Sequence, residues 1–125
     1  MKKTSIFFFL FVIIIATTSC RENNGNISIK YKETEHTYSM KADFPENRTR
    51  EVDDYMDNKI GNASNMSFTN TRIDGTLALD NHTTFYIKKS DGFLNITLDK
   101  DKNSEDSYRQ IKSMCEGIKK LLVNK

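Results

Sequence analysis

Asp99-Lys100-Asp101-Lys102-Asn103 places three oxygen-bearing side chains at alternate positions, the spacing with which a loop turns hard ligands toward one divalent cation. The remainder of a calcium loop is missing. Ser104 stands where the sharp turn needs glycine, Gln110 where a bidentate glutamate belongs, and two lysines oppose the charge. Asp99, Asp101 and Asn103 are therefore a weak metal candidate, and a solvated turn capped by Ser104 is the plainer expectation. Cys115 lies between Ile111 and Ile118 at helical spacing, which makes it a small core hydrophobe. As a nucleophile or metal ligand it would need His36 or His82, and the three share no ligand spacing. Asp53 and Asp57 are four apart in a helical stretch; paired carboxylates can do acid–base work when burial splits their pKa values, but here a charged outer face is expected. Arg48, Arg50, Lys88 and Lys89 could form a small basic patch. No glycine-rich phosphate loop, G-x-S-x-G or H-E-x-x-H occurs. With so few catalytic residue types, the sequence predicts no enzyme and no cofactor.

The elements that must position these residues are legible from periodicity. Ile27, Ile29 and Tyr31 alternate with polar residues, and so do Tyr38, Met40, Ala42 and Phe44, with a parity change near Glu33–Glu35 that calls for a bend, bulge or loop. Pro45-Glu46 opens a helix whose apolar face carries Val52, Tyr55, Met56 and Ile60, with Gly61 as its stop. Residues 66–79 are expected to form one irregular strand with a bulge at Gly75, although Asp74-Gly75 could instead be a tight turn. Asp91-Gly92 is the clearest hairpin: a two-residue turn there pairs Lys89 with Leu94, Ile87 with Ile96 and Phe85 with Leu98 on one face. A closing helix begins at Ser104 and carries Tyr108, Ile111, Cys115, Ile118 and Leu122 inward. The predicted class is α+β: strand, helix, three or four antiparallel strands, helix, with both helices on one face of the sheet.

Residues 1–19 do not belong to that fold. Met1-Lys2-Lys3 followed by the apolar run Ile6–Ala16 has the form of a secretory signal and is too short to span a bilayer. Thr17-Thr18-Ser19-Cys20 then resembles the lipobox of bacterial lipoproteins, with Ser19 as the small residue and Cys20 as the residue to be lipidated; Thr17 departs from the usual leucine. The resemblance covers about twenty residues. It implies cleavage before Cys20, a lipid anchor on that thiol and a place in the bacterial envelope. Because Arg21, not aspartate, follows, it also implies the outer membrane facing the periplasm. Residues 20–26 read as the anchor and a flexible tether, and 27–125 as one small domain.

With Lys2 and Lys3 set aside, the 19 basic residues of the chain fall to 17 and match its 17 acidic ones. A neutral domain is a poor non-specific nucleic-acid binder, so no nucleic-acid partner is expected. The expected function is a lipid-anchored, non-catalytic protein-binding or adaptor domain with an envelope or secreted protein as partner. A toxin-neutralising immunity lipoprotein and a small-ligand or calcium-binding lipoprotein are the alternatives. A ligand-sized cavity lined by Tyr38, Phe85 and Tyr108 would favour the last.

Overall fold

In a computed structural model that describes residues 27–124, five strands form one antiparallel sheet and two main helices cover one of its faces. The order along the chain is β1 (Ser28–Glu33), β2 (Thr37–Asp43), a 3₁₀ turn (Glu46–Arg48), α1 (Thr49–Met56), β3 (Ile73–Ala78), β4 (Thr84–Ser90), β5 (Phe93–Asp99) and α2 (Glu105–Val123). The sheet order is β1-β2-β5-β4-β3. The α+β class therefore stands, with two strands before the first helix instead of one. The parity break at Glu33–Glu35 is a hairpin turn, in which Thr34 N donates to Thr37 O at 2.9 Å.

Register explains the core. Met40 lies opposite Ile96, and Ile96 opposite Ile87, so one row of the sheet presents buried apolar groups to the helices. A second core-facing row runs Ile29, Ala42, Leu94, Lys89 and Ile73. The opposite face is polar, and its middle row reads Lys30, Lys41, Asn95, Lys88 and Asp74. Strand alternation puts these two sets on opposite faces without further instruction.

The Asp91-Gly92 hairpin forms with the expected pairs Lys89–Leu94 and Ile87–Ile96. Gly92 has φ +76°, and a side chain there would lie 2.8 Å from the Phe44 carbonyl oxygen. Its amide donates to Thr49 Oγ1 at 2.8 Å, which ties the turn to the start of α1. The Ser104 cap also holds, its Oγ accepting from Ser107 N at 3.0 Å.

Three expectations are corrected. The first helix does not stop at Gly61; after Met56 it widens into a π turn (Asp57–Gly61) and ends with Asn62–Ser64, where Asn65 at φ 61° terminates it. Residues 66–71 are not strand, because Phe68 is buried in the core and its neighbours hydrogen-bond to Asp57. Gly75 is neither bulge nor turn but an ordinary paired position opposite Ile87. The Cys20 assignment, the signal segment 1–19 and the tether 20–26 lie outside the described residues. Among the described residues no helix is long and apolar enough to cross a membrane.

Candidate functional site

A concave surface runs between β1 and α2. Strand alternation turns Tyr31 to the helical side of the sheet, and helical spacing brings Lys112, Glu116, Lys119, Lys120 and Val123 along one side of α2. With Glu33 and Tyr38 they line an open groove of about 420 Å³. The Tyr31 and Tyr38 rings stand 6.1 Å apart, and Tyr38 meets Tyr108 edge to face at 5.9 Å.

Charge at the groove is partly paired. Glu33 receives Lys100 Nζ at 2.8 Å and the Tyr108 hydroxyl, with Lys112 Nζ 3.9 Å away. Partial burial would raise its pKa, but the hydrogen bonds from Lys100 and Tyr108 and the charge of Lys112 together hold the carboxyl below its ordinary value. Lys100 and Lys112 also lie over the Tyr108 ring, 4.8 and 5.5 Å from its centre. Lys119 sits 5.9 Å over Tyr31. Arg48 donates to the Leu121 and Leu122 carbonyls at 3.0 and 3.5 Å, covering the negative end of α2.

One polar atom in this wall is not satisfied. Tyr38 is 2% exposed, and its hydroxyl makes no hydrogen bond of good geometry. The Cys115 thiol lies close enough to interact, but sulfur is a weak partner. Burial first, then the neighbouring Cys115 and Tyr31, pushes the Tyr38 hydroxyl well above its ordinary pKa, so it remains a donor.

A second ionic cluster lies toward the opposite edge of the sheet, between α1 and β4. Lys89 Nζ is 3.1 Å from Asp53 Oδ1, and both side chains are 3% exposed. The ammonium aims its hydrogen bond at the Thr71 carbonyl, 2.5 Å away, leaving the Asp53 contact poorly aligned and Oδ1 without a good donor. Desolvation accordingly outweighs Lys89 and raises the Asp53 pKa. One turn later, Asp57 accepts from Phe68 N (2.6 Å), Thr69 Oγ1 (2.9 Å) and Ser67 Oγ (3.1 Å). Together the two aspartates hold residues 67–71 against the helix.

The charged outer face expected at Asp53 and Asp57 is thus corrected: Asp53 is buried and Asp57 is a loop anchor. The basic patch does not assemble, because Lys89 is internal, Arg48 is bound to α2 and Glu51, and Lys88 faces the open side of the sheet. Asp99, Asp101 and Asn103 do not converge on one centre. Asp99 Oδ1 accepts from Asp101 N, Asp101 pairs with His36 at 2.8 Å, and Asn103 exchanges hydrogen bonds with Thr84 N and O. Among the described residues no three His, Cys, Asp or Glu side chains cluster as metal ligands. Cys115 is fully buried, and desolvation pushes its thiol up to about 12, leaving it a core group at neutral pH. Phe85 lies in the core and does not line the groove, which Tyr38 does.

Sequence reasoning missed both Lys89 and the groove. For Lys89 the signal was present: residues 85, 87 and 89 share a parity, so the lysine belongs on the core face beside two apolar neighbours. The groove joins Tyr31 to Lys119 across most of the chain, and no local pattern announces that meeting. Compared with known protein families, curated proteins and solved structures, the chain matches none.

Proposed function

We propose that this chain is a lipid-anchored protein of the bacterial envelope whose domain is a non-catalytic protein-binding module, working through the groove between β1 and α2. The groove itself carries the reading: aromatic walls and unpaired lysines form a surface suited to contact, while the thiol that could have acted as a nucleophile is buried and protonated. Tyrosine supplies a large, stiff contact area with a polar tip, which favours recognition of another protein. The anchor is Cys20, the partner an envelope or secreted protein, and the site of action the outer membrane facing the periplasm. Neutralisation of a secreted toxin is the narrower form of the same reading. A calcium or small-ligand role through Asp99, Asp101 and Asn103 is less favoured, since their side chains already serve the 99–103 turn, His36 and β4.

The test is capture of partners from native envelopes by the full-length protein after mild cross-linking, beside Cys20→Ser and the double variant Lys119→Glu/Lys120→Glu. One protein recovered with the parent chain and lost with the lysine variant is the expected result. Incorporation of labelled palmitate at Cys20, absent from Cys20→Ser, checks the anchor. Equal recovery with the lysine variant would overturn the groove as the binding surface, and no palmitate label would overturn the anchor.

A further inference from the structure

We infer that the groove between β1 and α2 receives an extended acidic segment of the partner, one that combines carboxylate side chains with an apolar residue; this rests on the reading of the groove as the binding surface. Pairing within the wall leaves a surplus of one sign. Glu33 is already held by Lys100 and Tyr108, with Lys112 nearby. Of the lining charges that leaves Glu116 against Lys119 and Lys120. Neither lysine makes an ion pair among the described residues, and Lys119 is engaged only by the Tyr31 ring. The C-terminal carbonyls of α2, which could have drawn these ammonium groups inward, are covered by Arg48. The surplus therefore faces the groove and asks for carboxylates.

Tyr38 and Val123 supply the rest of the wall. The Tyr38 hydroxyl is buried, remains protonated and lacks a good acceptor within the fold. That hydroxyl has no accessible surface and neighbours the buried Cys115 thiol, so Tyr38 offers an occupant its ring and not its hydroxyl. Val123, 42% exposed and the exposed large hydrophobic residue of the described chain, adds an apolar patch to the lining. Together these features specify an occupant with negative charge and one apolar side chain. The volume suits a few side chains of a peptide, at the small end of the range of about 300–1,000 Å³ for binding clefts. The lysines of the open sheet face, Lys30, Lys41 and Lys88, are a poorer match, since their row is flat and ends on Asp74.

The experiment uses the full-length lipidated protein in neutral detergent micelles and reads tyrosine emission, which no tryptophan obscures. The probes are a hexapeptide of alternating glutamate and phenylalanine, blocked at both ends, and its glutamine counterpart. The glutamate peptide should saturate the signal, bind roughly tenfold or more tightly than the glutamine peptide, and weaken as salt rises. Lys119→Glu/Lys120→Glu should cost about tenfold or more. Tyr38→Phe should leave binding unchanged and the melting temperature unchanged or higher, because it removes a buried unsatisfied group that the occupant does not reach. Equal binding of the two peptides, or indifference to the lysine variant, overturns the inference. So does a response to micelles doped with phosphatidylglycerol in place of the peptide, which would identify the occupant as lipid headgroup. If the glutamate peptide fails while an envelope partner is still captured through Lys119 and Lys120, the acidic segment falls and the binding reading stands. If capture is also indifferent to those lysines, both fall.

Discussion

Lys89–Asp53 and Lys100–Glu33 are the same chemical pair in two settings, and the difference between them divides the molecule. Lys100 and Glu33 are 23% and 35% exposed and close to 2.8 Å, and the Tyr108 hydroxyl also donates to Glu33. Lys89 and Asp53 are 3% exposed, and the lysine gives its best hydrogen bond to a loop carbonyl. At Glu33 partial burial is outweighed by the hydrogen bonds from Lys100 and Tyr108 and the charge of Lys112, so it is more acidic than usual; at Asp53 desolvation outweighs Lys89, so it is less acidic. A buried ion pair rarely adds net stability over apolar packing, but it penalises every arrangement that separates its members. The Asp53 side of the fold thus holds residues 67–71 in one arrangement, whereas the Glu33 side borders a groove whose charges stay available.

Breaking the buried pair should produce the largest effect. Lys89→Met strands the Asp53 carboxylate in the core and should cost about 3–5 kcal/mol of unfolding free energy at neutral pH, read by urea denaturation. Adding Asp53→Leu should return most of that loss, since two apolar side chains replace the pair; a double variant no better than the single one would show that the loop carbonyl, not the charge, is what matters.

Gly92→Ala comes next. The left-handed backbone and the clash with the Phe44 carbonyl should cost about 1–3 kcal/mol, loosening the contact between hairpin and α1 without touching either ion pair. Thermal unfolding with an unchanged Lys89→Met penalty in that background would confirm the independence.

The pH response should separate the pairs by sign. The Asp53 pKa is raised in the fold, so its contribution favours the folded state at acid pH and is lost as pH rises through the folded value. The Glu33 pKa is lowered, so its contribution is present above the ordinary glutamate range and lost as pH falls through the folded value. Denaturation across pH 3 to 7, an interval chosen to span roughly both carboxylates, should show Asp53→Asn and Glu33→Gln bending the wild-type profile in opposite directions. Smallest of all, Glu33→Gln at neutral pH should cost at most about 1 kcal/mol, because a partly exposed pair is screened by solvent. A larger loss would mean that Glu33 braces the groove as well as neutralising it.

Much of the fold was legible because its signals are local. The 85–98 hairpin follows from Asp91-Gly92 and matched parity, and α2 from the Ser104 cap and a stripe that includes Cys115. The failures are also physical. Residues 66–71 alternate like a strand, yet Asp57 takes the hydrogen bonds a partner strand would have supplied. Gly61 looked like a stop, but a glycine can continue into a π turn when Asn65 downstream supplies the left-handed residue. Asp53 lies beside Val52 and three before Met56, inside the apolar stripe, so its position was readable even though its charge argued for the surface.

What the sequence determined by itself is whatever depends on neighbours in the chain: strand and helix periods, the tight turn, the cap and the α+β class. What only the tertiary structure decided is which distant side chains share a dielectric. Tyr31 and Lys119 become walls of one groove, and Asp53 and Lys89 become a buried pair, through sheet order and helix docking. Periodicity fixes the face on which a residue lies, but the cost or use of its charge depends on the water and partners that packing leaves beside it.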